Sequence, residues 1–337
     1  MSESLPLQPA KASWLRDFSY WHEAVLGLLL LGLMIWASIV EPTFVAIDTQ
    51  RVLSTHLWEQ ALIAIPMTLI IITAGIDLSV GATVALSAVV LGMSFKYGWP
   101  GLIGIHPQNP QGLSIWLSTV LALIVGTLAG AANGFFIAKV RVHPLIVTLA
   151  TLAAYRGIAE GISLGEPASG FPPAFVKLSQ GAVPLAGWLF LILVIVGAIV
   201  LIKTPFGRYL YAMGHNETAT RFSGVAVDRL KLLLYTFSGT TAAVAAIFTA
   251  SRLNAKANLG DGMELNVITA VVLGGTSIFG GRGTIVGTVL GVLLVHETRE
   301  FVRWHWQVSE YYDIVIGILL IGSVLLNRLL SARGPRR

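Results

Sequence analysis

The 337-residue chain has no cysteine, which excludes disulfides and thiolate-held metals. It is also short of charge, with only 12% Asp, Glu, Lys and Arg, about half the ~25% of soluble domains. The shortage runs the whole length and 55% of the residues are hydrophobic. A soluble body on one terminal anchor is therefore excluded, and an integral membrane protein is implied. The dipeptide Gly-Lys never occurs, which removes the P-loop G-x-x-x-x-G-K-[ST] and ATP hydrolysis by that route. No H-E-x-x-H pattern is present. The seven histidines are scattered rather than grouped as metal ligands. Neither a cofactor nor a nucleic acid is called for.

What is present is a succession of apolar runs. A helix crosses the hydrocarbon core with about 20 such residues, and the runs place spans near 23–40, 57–74, 78–95, 115–138, 144–164, 185–202, 232–251, 264–281, 284–301 and 312–327. The first has no small-residue cleavage pattern after it and reads as a retained span, not a signal peptide. The expectation is an all-α polytopic bundle of about ten spans with both termini in the cytoplasm. Segment 1–22 leads in, 23–327 is the transmembrane domain, and 328–337 is a basic cytoplasmic tail. With that orientation 14 of the 22 Lys and Arg fall inside, as the positive-inside rule requires. Trp21, Trp58, Trp99, Trp188, Trp304 and Trp306 lie close to span ends, where amphipathic rings prefer to sit. The one substantial cytoplasmic connection is the polar, basic loop 203–231.

Four stretches are candidates for function. In "GIDLSVG" (75–81) Asp77 sits between Gly75 and Gly81 inside a long apolar region. It caps a helix start, with Ser79 as a second candidate for that role, or it belongs to a gating surface where the two glycines break the chain. In "AAYRGIAEG" Arg156 and Glu160 are spaced i,i+4 and are expected to pair across one helix face. In 264–291 the glycines, Thr276 and Ser277 allow either close helix approach or a local unwinding. In the loop 203–231 a short helix is expected around Glu217–Phe222. That loop either orients the protein by its charge or docks a cytoplasmic partner.

Four collinear stretches carry a resemblance: "GIDLSVG", "PLIVTLATLAAYRGIAEG" (144–161), "FGRYLYAMGHNETATRFSGVAVDRLKL" (206–232) and "AVVLGGTSIFGGRGTIVGTVLG" (270–291). From about residue 60 onward the chain resembles the permease subunits of bacterial ATP-binding-cassette importers for monosaccharides, the ribose, xylose, rhamnose and autoinducer-2 branch. The resemblance implies a multi-pass protein of the bacterial inner membrane that hydrolyses no ATP itself. It would pair with a second permease, identical or paralogous, and work with a cytoplasmic cassette ATPase and a periplasmic sugar-binding protein. The loop 203–231 would then seat the ATPase. Glu217, Ala219 and Gly224 resemble the glutamate–alanine–glycine signature of such loops, although Thr218 replaces the usual second small residue. Gly214, Asn216, Arg221 and Asp228 complete the expected docking set. Because a channel that paired every sugar hydroxyl would trap its cargo, a weakly polar pathway is expected. Its candidates are Thr73, Ser87, Asn133, Thr148, Thr151, Thr276 and Ser277. Stretch 302–330 leans toward the rhamnose or autoinducer-2 side. The rival reading is an ion-coupled secondary transporter built on Asp77, Arg156 and Glu160.

Overall fold

A computed structural model describes residues 13–307, apart from residue 182, and scattered positions from 311 to 322. The expected tail 328–337 and most of the tenth span, 312–327, lie outside the described residues, as does the start of the leading segment. All named elements are helical: α1 (Ser13–Val40), α2 (Ile47–Leu53), α3 (Leu57–Ile72), α4 (Val80–Tyr97), α5 (Ile115–Phe135) and α6 (Pro144–Ser163). After the single turn α7 (Pro173–Val176) come α8 (Leu185–Lys203), α9 (Pro205–His215) and α10 (Glu217–Phe222). The chain continues through α11 (Val227–Leu253), α12 (Met263–Leu273) and α13 (Ile285–Trp306).

Among the described residues, seven helical stretches are long and apolar enough to cross a membrane, and they match the first seven expected spans to within a few residues at most ends. They differ in what surrounds them. The stretches of α3 and α4 are mostly buried, whereas those of α1, α6 and α8 turn most of their surface outward. A helix apolar all round belongs inside a bundle, and one with an apolar outer face belongs against lipid. The long α11 is the axis on which α3, α4 and α5 pack. Its seam with α5 is close because Gly126 and Gly130 face Gly239 with no room for a Cβ.

The eighth expected span, 264–281, is corrected. Only Met263–Leu273 is helical, about 16 Å of rise at 1.5 Å per residue and half of what a crossing needs. Residues 274–284 run as loop before α13 begins. The helix stops at a glycine pair, Gly275 taking a φ of +91° just past Leu273, and the stretch beyond is fixed by outside groups. Gly281 N–H donates to the carbonyl of Ile72 (2.8 Å), and Tyr211 donates to the carbonyl of Gly283 (2.7 Å). The ninth, α13, is long enough to cross, but its second half carries His296, Glu297, Arg299, Glu300 and Arg303. It is held among α1, α3 and α12, and the Thr68–Thr288 hydroxyl pair (2.7 Å) ties it to α3.

The loops gather at two ends. One end joins the turn 136–143, the α9–α10 corner and the segments 73–79 and 274–284. The other joins 98–114 to 164–172 and 164–172 to 254–262. There Tyr97 donates to Glu166 (2.8 Å), and Ala168 and Ala255 form a two-bond antiparallel bridge. This grouping is the one the alternation of spans predicts.

Candidate functional site: two interrupted helices and the corner that meets them

The chain between α3 and α4 leaves the helical path at Ala74, whose φ is +61°. The sequence pointed to Gly75 and Gly81 as the breaking residues, and that is corrected. Gly75 has no positive φ, and Gly81 lies inside α4. Their role is space. A Cβ on Gly81 would overlap the Gly260 carbonyl and the Glu264 carboxylate, and one on Gly75 would press on the Tyr235 hydroxyl. Helices α3 and α4 do not pack along one another, so the segment is an interruption rather than a tight hairpin.

An unwound segment inside a bundle must satisfy its freed backbone groups from side chains. Here the carbonyl of Ile76 is approached by the hydroxyls of Tyr235 (3.3 Å) and Thr148 (3.5 Å). Asp77, only 2% exposed, accepts from the Ser79 amide (3.0 Å) and the Ser79 hydroxyl (2.7 Å) through Oδ1. Its Oδ2 accepts from Ser238 on α11 (2.8 Å). Asn133 on α5 donates to Ser79 Oγ (2.7 Å), and Tyr155 on α6 bonds the carbonyl of Ala129 beside it (2.9 Å). Asp77 is therefore not the N-cap of α4. Ser79 holds that position, and Asp77 joins the interruption to α11 directly and to α5 through Ser79.

Of the expected pathway residues, Thr73, Gly75, Asp77, Ser79, Asn133 and Thr148 cluster around this break. Thr276 and Ser277 lie in the other break, 274–284. Thr276 is buried with Oγ1 unpartnered, and the Ser277 amide bonds the Arg282 carbonyl (3.0 Å). Ser87 and Thr151 stand apart. Ser87 is buried in the α4–α5 seam without a partner, and Thr151 bonds back to its own helix.

Arg156 and Glu160 do not form the expected pair. Arg156 bonds Asp261 (2.6 Å) and the carbonyls of Ala257 and Leu259, while Glu160 is exposed. Three acceptors converging from the 254–262 loop outcompete one flexible carboxylate on the same helix. Arg156→Met should therefore loosen this loop. We expect a fall of about 3 °C in the melting temperature of the detergent-solubilised protein, since two part-buried carbonyls lose their donor, at about 1–3 kcal/mol, while Asp261 is mostly exposed. Glu160→Gln should leave the melting temperature within about 1 °C, as surface changes do.

The α9–α10 corner is where the expected loop helix falls, at Glu217–Phe222. Asn216 caps it, accepting from Ala219 N–H (2.9 Å). Glu217 pairs with Lys231 (2.6 Å) and Arg221 (3.3 Å), and Arg221 with Asp228 (2.6 Å). Hydrogen bonding to Asp228 holds the Arg221 pKa above its ordinary value. Gly224 takes a positive φ to turn the chain into α11. The residues of the expected docking set thus form a corner whose charges hold its own shape. Asn216→Ala should cost about 1 kcal/mol through the lost cap, read as weaker amide protection of residues 217–222 in hydrogen exchange.

Gly214 ends the corner and is the contact with both interruptions. A Cβ there would overlap the Ile72 carbonyl, where α3 stops, and the Gly281 amide in the second break. A cavity of about 440 Å³ opens beside it, lined by Thr73, Ala74, Arg141, His215, Glu217 and Tyr235 among others. A second, polar cavity of about 330 Å³ lies toward the other end, with Glu59, Arg252, Asn258, Asp261 and Arg303 in its wall. Tyr211, Tyr235 and Ser238 were not among the residues expected from sequence. Tyr235 and Ser238 are three apart on α11, a one-face spacing that also fits ordinary core packing.

A polytopic helical bundle with discontinuous helices meeting at one end, and a self-held corner lodged against both, has the architecture of a membrane transport protein. The chain belongs to the family described as branched-chain amino acid transport system / permease component, whose model matches residues 58–324. It is 37% identical over 319 residues to the ribose import permease protein RbsC of Bacillus subtilis (strain 168), covering 91% of this chain and 92% of that one. It is 34% identical to RbsC of Escherichia coli (strain K12), over 94% of each chain. Against the autoinducer 2 import system permease protein LsrD of Klebsiella pneumoniae it is 32% identical over 92% of each. No solved structure matches the chain.

Proposed function

We propose that this chain is the inner-membrane permease of an ATP-binding-cassette importer for a monosaccharide or similarly small polyhydroxy compound. The observation that carries the reading is the seat of the α9–α10 corner against the ends of both interrupted helices. A partner that moved this corner would move both breaks at once. The relatives named for ribose and autoinducer 2 match across more than nine-tenths of this chain, which favours a sugar-like cargo over a branched-chain amino acid. The two kinds of relative are too alike in identity to choose between those cargoes, and neither supports the leaning toward rhamnose.

On this reading the end bearing the corner faces the cytoplasm, where a cassette ATPase supplies the nucleotide chemistry that the chain lacks. The 254–262 loop with α12 makes one crossing and α13 another. A second permease copy or paralogue packs on α6, whose exposed surface holds Glu160, Ala153, Gly157 and Gly161. Gly157 and Gly161 have open space in front of them. An ionisable side chain within a span belongs against water or protein, not lipid. A periplasmic binding protein delivers cargo at the other end and does most of the selecting.

The test is purification of the tagged chain in mild detergent, with mass spectrometry of what accompanies it. A cassette ATPase that is present with the intact chain and lost when 215–224 is replaced supports the reading. An ATPase retained after that replacement moves the docking surface elsewhere. No ATPase at all counts against an ABC importer.

A further inference from the structure

Helix α1 is the least embedded of the apolar helices. Its span Trp21–Val40 is mostly outward-facing, and among the described residues the helix it packs along most is α13. Two adjacent polar residues at the start of that span nevertheless reach across more than 250 positions of sequence. His22 Nε2–H donates to the carbonyl of Leu273 (2.9 Å), the last residue of α12. Glu23 Oε1 accepts from the hydroxyl of Thr284 (2.6 Å), the N-cap of α13. These two residues therefore hold the two ends of the 274–284 interruption. A side chain on Gly275 would press against the His22 ring, so the fit is close as well as bonded. At its far end α1 is joined to α13 again, through Glu41 and His305 (2.9 Å).

The same interruption is held from the opposite side by the corner. Tyr211 bonds Gly283, Gly281 bonds Ile72, and Gly214 fills the gap between them. A segment gripped from both sides moves with one side only if the other stays fixed. We propose that α1 is that fixed side: His22 and Glu23 are positioning residues that clip the ends of the 274–284 break, so that movement of the α9–α10 corner is taken up by the break and not lost as rotation of α13. The carbonyl of Leu273 is an orphan acceptor at the end of α12, which His22 satisfies, and Glu23 takes the hydroxyl proton of Thr284, whose oxygen accepts from the Gly287 amide in the first turn of α13. A passive lipid-facing anchor needs neither bond.

This inference rests on the transport reading, but one of its readouts needs no substrate. The chain has no cysteine, so Phe279→Cys and Val140→Cys, both at exposed positions, accept spin labels without background. Pulsed dipolar spectroscopy then measures the distance from the break to Val140 in the turn after α5, on the full chain in lipid nanodiscs. The otherwise native labelled protein should give one narrow distribution. Glu23→Ala and His22→Ala should each broaden it, and Glu23→Gln, whose amide oxygen still accepts from Thr284, should restore it. Uptake by cells is measured in parallel with radiolabelled D-ribose, D-xylose and L-rhamnose. For whichever sugar is transported, Glu23→Ala should lower the rate about tenfold at equal membrane level, with Glu23→Gln within about twofold. If Glu23→Ala fails to reach the membrane, His22→Ala, which removes a single donor, carries the same comparison. Unchanged distances in both alanine variants would overturn the clip whatever uptake does. Broadened distances with no transport of any of the three sugars would uphold the clip and count against the sugar reading alone.

Discussion

Replacing Asp77 by alanine should lower uptake at least tenfold while the protein stays in the membrane. The carboxylate is the only group that accepts from both Ser79 and Ser238. Its removal orphans a buried amide and two buried hydroxyls at the point where α3 gives way to α4. Hydrogen bonds to a charged acceptor contribute about 1.5–3 kcal/mol each, and 1.36 kcal/mol is a factor of ten in rate. Asp77→Asn is the informative partner. The amide oxygen can keep the Ser79 contacts, and Ser238 can turn its hydroxyl to accept from the new NH₂. An intermediate loss, about threefold, is expected. Radiolabelled uptake normalised to membrane protein measures both, and wild-type uptake in Asp77→Ala would reduce the residue to a dispensable turn former.

The second large effect is Gly214→Ala. Every neighbour of the added methyl is backbone, the carbonyl of Ile72 and the amide of Gly281, so nothing flexible can yield. Overpacking of this kind costs about 1–3 kcal/mol, and here it acts by lifting α9 off both interruptions while α10, six residues of self-paired surface, keeps its form. The expected outcome is therefore a split: an ATPase still co-purifies and still hydrolyses ATP, while uptake falls about 10- to 100-fold. Loss of ATPase binding together with uptake would place Gly214 in the docking surface itself. Unchanged uptake would mean that the corner does not act through the breaks.

These two residues also show how far the sequence could be read. Composition and run length located seven spans because burial in lipid is a property each stretch carries by itself. The short helix at Glu217–Phe222 was legible for the same reason, with Asn216 and Glu217 as local start signals. The breaks were not. Gly75 and Gly81 drew attention as chain breakers, yet Ala74 carries the left-handed backbone, because the contacts that force it come from Tyr235, Thr148 and Ser238, far along the chain. The run 264–281 carries Gly274 and Gly275, which sequence alone leaves as either close packing or a helix end. Gly275 takes a φ of +91° just past Leu273, and bonds from Tyr211 and Ile72 hold the residues that follow. Arg156 was matched to Glu160 by helical spacing, and Asp261, 105 positions away from it, made the better partner. Local physics sets where the chain is apolar, and long-range bonds join local caps and glycines in setting where its helices stop.

On the function proposed above, movement of this bundle is driven by a cassette ATPase seated at the α9–α10 corner. Uptake of the transported sugar should be measured in cells treated either with a protonophore, with ATP held constant, or with ATP depleted and the proton gradient kept. Uptake that survives the protonophore and stops with ATP is the result predicted here. Uptake that stops with the protonophore while ATP remains high would contradict it and make Asp77 and its neighbours the machinery of an ion-coupled transporter.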